Sequence, residues 1–204
     1  SIAGYATNTV IDNCHNYTNV SCVKFAGGII GYLSKDAVVT RCHNEGAISS
    51  GDDWGSGGIA GATSDATVDN CYNLGVVSGE SRVGGIVGSY ERTSVVKNCY
   101  SIGANKGSRI TGPIIGYEEA SNSAVYTNCY FNSVSFSSSV DAAKNVTLDQ
   151  FKSGEITYLL NNDTLVWYQT IGEDAIPVLD PTHYVVLMDS ANMSYFNYIP
   201  VVPD

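Results

Sequence analysis

The 204-residue chain is short of charge, and of positive charge most of all. Only 15% of its residues are charged, and twenty acidic residues face ten basic ones, for a net charge of −10. A nucleic-acid or anionic-membrane partner needs a basic patch; none is visible, and both classes are disfavoured. No apolar run reaches the roughly 18 residues of a membrane-spanning helix. Six cysteines are present but no C-x-x-C pair, which removes the usual spacing of a zinc or thioredoxin-like site. The G-x-S-x-G nucleophile elbow is also missing. So is sustained helical periodicity over the first 139 residues.

What the chain has instead is a repeat. A Gly-Gly-Ile-x-Gly block occurs as Gly27-Gly28-Ile29-Ile30-Gly31, Gly57-Gly58-Ile59-Ala60-Gly61 and Gly84-Gly85-Ile86-Val87-Gly88, with a variant at Gly112-Pro113-Ile114-Ile115-Gly116. Successive blocks lie 30, 27 and 28 residues apart. A second anchor, apolar-x-Asn-Cys-aromatic, keeps phase with the first. Its copies end in Asn13-Cys14-His15, Arg41-Cys42-His43, Asn70-Cys71-Tyr72, Asn98-Cys99-Tyr100 and Asn128-Cys129-Tyr130. Each unit reads as about three short strands, in the third complete unit Val83–Tyr90, Ser94–Tyr100 and a weaker one near Ile102. One unit cannot bury its own apolar face. Stacked units can, with each strand pairing its copy about 4.8 Å away. The expected fold is therefore all-β, a parallel β-solenoid of about five coils, with Ile29, Ile59, Ile86 and Ile114 in one internal ladder. Pro113 cannot donate to a ladder, so it suits a last coil with no successor. The chain opens inside a repeat, at Ile2-Ala3-Gly4, which leads one to expect a longer polypeptide upstream.

The polar residues of the repeat read mainly as ladders. Five cysteines share one slot, and in-register parallel side chains disfavour disulfides among them; buried thiols are the expectation. His15 and His43 occupy the slot of Tyr72, Tyr100 and Tyr130, so an aromatic ladder explains five residues where a metal would explain two. Asn13, Asn70, Asn98 and Asn128 read as amides stacked along a corner, interrupted by an outward Arg41. Asp12 and Asp69 share a row with Thr40, Lys97 and Thr127, too irregular for the clustered acids of a polysaccharide-cleaving β-helix. No catalytic residue, metal ligand or cofactor is assigned. The candidate ligand-binding residues are Asp52, Asp53 and Trp54, at a corner of the longest unit, where an exposed Trp offers a stacking face. His183 stands alone in the tail and reads as ordinary.

The Gly-Gly-Ile-Val-Gly block followed by Val96-Lys97-Asn98-Cys99-Tyr100 and Gly103 resembles the GLUG motif repeat of bacterial cell-surface proteins. The resemblance covers about 1–139. It implies a place in a large secreted or wall-anchored protein; some such proteins are adhesin-like, and others carry a separate peptidase domain, as in certain IgA-cleaving metallopeptidases. It supplies no catalytic residue for the repeat. A stretch like Leu148–Leu160, with Trp167 and Ile176-Pro177-Val178-Leu179, resembles the segment that closes such arrays, so 140–180 reads as a small helix-containing cap. Thr147 and Gln150 form a capping box that starts a helix at Leu148. Gly154 interrupts that helix, which resumes over Glu155–Asn161; Leu148, Phe151, Ile156, Leu159 and Leu160 are its candidate covering residues. Residues 181–204 read as a strand, Tyr184–Met188, and a linker bearing Pro200 and Pro203. The functional expectation is a non-catalytic structural or adhesive module, monomeric by itself, outside a bacterial cell, with a host or matrix protein or a glycan as partner. A carbohydrate-binding module is the alternative, and a β-helix polysaccharide-degrading enzyme a third.

Overall fold

The computed structural model describes residues 1–51, 53–119, 125–133, 143–162 and 164–198. It divides into two compact units, Ser1–Asn145 and Val146–Asp204. The first is a parallel β-solenoid of about four turns. A full coil holds five short strands rather than three: Ser56–Gly57, Ala60–Ser64, Thr67–Asp69, Tyr72–Asn73 and Val77–Gly79 form one. The glycines and left-handed residues between them break what the sequence pattern runs together. Each strand pairs in parallel with its copies in the adjoining coils, without a register slip: Ile30, Ala60, Val87 and Ile115 are partners in sequence. The five sheets are four, five, five, six and four strands high. Five coils were expected. The first begins at its second strand, Ala3–Thr7, and the last has no described counterpart of Asn105–Gly107, which leaves about four turns. The expected border at 139 lies outside the described residues. Strand Ala143–Asn145 still adds to Cys129–Phe131 and belongs to the solenoid unit.

The interior is the apolar ladder that the repeat requires. Ile29, Ile59 and Ile86 are fully buried and Ile114 nearly so. Their backbones stack directly: the amide of Ile29 donates to Ile59 at 3.0 Å, Ile59 to Ile86 at 2.9 Å and Ile86 to Ile114 at 2.8 Å. Val39, Val68 and Val96 line a second wall of the same core. Burying one such side chain contributes roughly 1.5–3 kcal/mol. Pro113 follows Thr111–Gly112, the end strand of its sheet among the described residues.

The two glycines of each block have separate jobs. A Cβ on Gly27, Gly57 or Gly84 would lie about 2.0 Å from the carbonyl oxygen three residues on, so the corner has no space for one. The next glycine makes room for a side chain. A Cβ on Gly28 would sit 2.6 Å from Asn44 Cγ, and one on Gly58 would sit 2.3 Å from Asn73 Cγ. These asparagines, two residues after the cysteine, form the continuous amide ladder. Asn16 Nδ2 donates to Asn44 Oδ1 at 2.6 Å, and Asn44 Nδ2 to Asn73 Oδ1 at 2.7 Å. Each also donates to a backbone carbonyl two residues on, closing the turn beside it. All three are buried, so every bond replaces a desolvation cost.

The asparagines before the cysteines behave differently. Asn13, Arg41, Asn70, Asn98 and Asn128 all have φ between 50° and 54°. They hold a left-handed corner, which Asn tolerates better than most residues. In this slot Asn128 Nδ2 donates to Asn98 Oδ1, as the stacked-amide expectation has it, while Asn98 Nδ2 turns to Asp69.

The second unit begins as the sequence indicates. Thr147 and Gln150 form the reciprocal capping box, α1 spans Leu148–Lys152, Gly154 breaks the helix at φ 87°, and α2 spans Glu155–Leu160. Phe151, Ile156, Leu160 and Trp167 are buried, whereas Leu148 is exposed. Gln169 stitches the unit from within: its carbonyl accepts from Thr157 Oγ1 at 2.5 Å, and its amide donates to Phe151 O at 2.9 Å. Val185–Asp189 is a strand as expected, but it pairs antiparallel with a second, Ser194–Tyr198, where a linker was expected. Alternation in Ser194–Tyr198 is weak, because its outward residues include Phe196 and Tyr198. Pro200 and Pro203 lie outside the described residues.

Asn44→Ala should destabilise the solenoid by about 2–3 kcal/mol, because it removes three buried hydrogen bonds, to Asn16, Asn73 and Gly46 O. Asn13→Gly, at a left-handed corner, should cost less than about 1 kcal/mol. Urea unfolding followed by far-ultraviolet circular dichroism of both variants checks the contrast.

Candidate functional site

The longest repeat unit places its extra residues at a corner. Asp52 lies outside the described residues. Gly55 follows with φ 124°, and its backbone crosses close over the neighbouring coils: a Cβ there would meet Gly61 O at 2.7 Å and Ser89 Cβ at 3.3 Å. The rungs beneath are correspondingly small. One outward row of the solenoid reads Tyr5, Tyr32, Ala62, Ser89, Tyr117. Ala62 and Ser89 are fully buried, consistent with this close crossing.

The corner sets Trp54 into an aromatic group on the surface. Its ring meets Phe25 edge-on at 5.5 Å, Phe25 meets Tyr32 edge-on at 5.1 Å, and Tyr32 stacks on Tyr5 at 5.7 Å with 11° between planes. Lys24 Nζ lies 4.6 Å over the Trp54 ring, an arrangement favoured by the ring quadrupole. Trp54 remains 44% exposed and Tyr5 58%. Burial raises the Tyr32 hydroxyl above its usual pKa, and that hydroxyl donates to Glu91 Oε2 at 3.2 Å. Asp53 is not turned toward an open ligand position. Its carboxylate pairs with Arg109 at 2.9 Å, and Arg109 reaches Glu80 at 3.5 Å. Trp54 is therefore presented outward, and the exposed Asp53 is tied into an ion pair with Arg109.

Phe25, Gly55 and Arg82 immediately precede in-register partners and share a left-handed backbone. Phe25 and Arg82 have φ of 53° and 54°. Arg82 then covers Tyr117 at 4.3 Å, as Phe25 covers Tyr32. Sequence reading missed Phe25, Tyr32 and Tyr5 as companions of Trp54. The available signal was the outward row of the Gly-Gly-Ile-x-Gly strand, two residues beyond Ile30 and in phase with Tyr5.

The remaining polar candidates are engaged between or within coils. Each repeat cysteine directs its thiol at the carbonyl two residues earlier, at 3.0 Å for Cys42 and 3.2 Å for Cys71. Burial pushes the Cys71 and Cys129 thiols well up. Cys22 lies on the surface, with its thiol on Lys24 O at 3.1 Å. His15, His43, Tyr72 and Tyr100 form one stack, with centroids 4.1, 4.6 and 5.1 Å apart. His43 is buried between His15 and Tyr72 and neither ring nitrogen makes a hydrogen bond, the Glu45 carboxylate standing 3.5 Å from Nε2. Desolvation, then the neighbouring His15, lowers its pKa to about 4. Asp12 pairs with the outward Arg41, and Asp69 with Lys97 at 3.5 Å.

One polar pair lies in the second unit. His183 Nδ1 is 2.6 Å from Asp174 Oδ2, which also accepts the Thr170 amide at 2.5 Å. The Thr170 hydroxyl approaches the same Nδ1, at 3.5 Å, rather than Nε2. That arrangement pins a loop; a nucleophile activated by the ring would sit at the opposite nitrogen. Nothing in a nine-residue irregular spacing announces the pair.

No family model and no curated protein matches the chain. Among solved structures it is similar to a crystal structure from Bacteroides ovatus, of a protein provisionally named an immunoglobulin A1 protease. The TM-score is 0.62 at 20% identity, over 87% of this chain and 62% of that one. The chain thus spans less than two thirds of its structural neighbour, and the likeness is one of fold.

Two outcomes are expected from the ladder chemistry. In the native state a maleimide reagent should label Cys22 within minutes and leave the five repeat thiols to react only after denaturation, as read by mass spectrometry. His43 has a folded pKa below its unfolded value. Its neutral form therefore adds stability above about pH 6.5, and this is lost as pH falls from there through about 4, by at most about 3 kcal/mol. His43→Tyr, the residue type of Tyr72 and Tyr100, should flatten that part of the pH–stability curve.

Proposed function

We propose that this chain is a non-catalytic structural and display module of a bacterial cell-surface or secreted protein, built from GLUG-type repeats. The observation that carries the reading is the use already made of its reactive side chains. Cysteine thiols, the Asn16–Asn44–Asn73 amides and the His15–His43 rings all find their partners in the repeat itself. The acidic aspartates of the Asp12 row are matched by cations of the next coil. A hydrolase or lyase needs convergent acids and bases with room for a reacting bond, and among the described residues no three His, Cys, Asp or Glu side chains gather for a metal ion. The low content of positive charge suits an extracellular surface that stays soluble without attracting nucleic acid.

The neighbour's name brings in a proteolytic reading. The GLUG resemblance fits that name without making this chain the protease, since in such proteins the peptidase is a separate domain. The repeat would then act as the arm or platform that presents it to a host or matrix component.

Incubation of the purified chain with human immunoglobulin A1, gelatin and a set of plant and host polysaccharides tests the reading. The expected result is no cleavage product by mass spectrometry or size-exclusion chromatography. Turnover abolished by a single substitution, Asp174→Asn or Asp69→Asn for instance, would sink it.

A further inference from the structure

We propose that the corner formed by Trp54, Phe25, Tyr32 and Tyr5 is a binding site for a neutral glycan. The inference deepens the display-module reading and rests on it.

The first observation is the cost of the arrangement. Phe25 has φ 53°, a region that bulky L residues rarely enter. The next coil places glycine, Gly55, in the equivalent position, and the one after it Arg82, also left-handed. Nothing in the repeat requires an aromatic residue here, yet the ring is held between Tyr32 and Trp54. Strain of this kind, kept where a permissive residue would serve, points to a use for the side chain.

The second observation is that Trp54 is placed rather than left loose. Gly55 at φ 124° and the small rungs Ala62 and Ser89 let the corner lie flat on the coils. Lys24 holds the indole from one side and Phe25 from its edge, and 44% of the residue still faces solvent. Rigid aromatic area exposed at low entropy cost is what stacking recognition requires.

The third observation selects the ligand. The cations around the rings are already engaged: Lys24 over Trp54, Arg109 with Asp53 and Glu80, Arg82 over Tyr117. An acidic ligand would have to draw them away. A neutral sugar would not. Its C–H face packs on aromatic rings, and its hydroxyls suit the hydroxyls that the row carries, Tyr5 with Ser34 and Tyr32 with Glu91. Tyr5 and Tyr32 stack on each other and border the exposed Trp54 indole, which offers the sugar its stacking surface.

The two tryptophans make the test direct. Trp167 is fully buried, so a quencher such as acrylamide reads Trp54. The full chain is titrated with cellohexaose, mannohexaose and chitohexaose as neutral probes and polygalacturonate as the acidic one, with fluorescence and calorimetry as readouts. At least one neutral probe should bind and shield Trp54 from acrylamide. Trp54→Ala and Phe25→Gly should each weaken that binding about tenfold or more, while the melting temperature of Phe25→Gly stays near wild type because glycine relieves the left-handed residue. Failure of all three neutral probes at millimolar concentration overturns the proposal, as does undiminished binding by both variants. Binding of polygalacturonate alone, lost with added salt, also overturns it. None of these results touches the display-module reading, which fails separately if a probe is turned over.

Discussion

Everything in the solenoid depends on one geometric demand: each residue must sit beside its own equivalent, one coil away, on both sides. That proximity is unforgiving for polar groups, since a side chain that turns inward brings its copies with it. The structure meets the demand by choosing groups that can bond to themselves. A carboxamide is both donor and acceptor, so Asn16, Asn44 and Asn73 form a line in which each satisfies the next. An imidazole or phenol ring stacks on its copy. A thiol, small and weakly polar, turns to its own backbone. Carboxylates cannot stack without repulsion, and the row that holds Asp12 and Asp69 separates them with a neutral residue and sets a cation beside Asp69.

The same demand explains the glycines. Their role in the Gly-Gly-Ile-x-Gly block is spatial: Gly28 and Gly58 leave the volume into which Asn44 and Asn73 project from across the coil. The left-handed corners that glycine might have supplied are held instead by Asn13, Asn70, Asn98 and Asn128, and even by Arg41. Block and Asn-Cys-aromatic anchor are therefore two halves of one contact, which is why they keep phase along the chain.

How much of this was legible beforehand follows from what repetition can reveal. The Ile29–Ile59–Ile86–Ile114 ladder and the helix start at Leu148 could both be read, because each depends on a residue type recurring or on a local capping rule. The continuous amide ladder was assigned to the wrong asparagine, since both slots carry Asn and only the backbone sign separates them. Strand number was undercounted because two-residue strands leave no alternation to detect. At the candidate corner, Trp54 stood out as an exposed aromatic in the longest unit, but Phe25 and Tyr32 were not singled out. Their meeting depends on a left-handed Phe, which no pattern announces. Asp53 looked like a ligand for want of its partner, Arg109, which is two units away in sequence.

The thiols that stack without joining have a mechanical consequence. Neighbouring coils are held to one another by hydrogen bonds and apolar contact, with no covalent cross-link between Cys14, Cys42, Cys71, Cys99 and Cys129. A pull along the axis therefore loads the coils in series. A coil that peels away releases its whole contour, roughly 90 Å for a unit of this length, while the remainder keeps its register. Such a stack behaves as an extensible tether, yielding in steps under load and rewinding on the template of the coils that stayed.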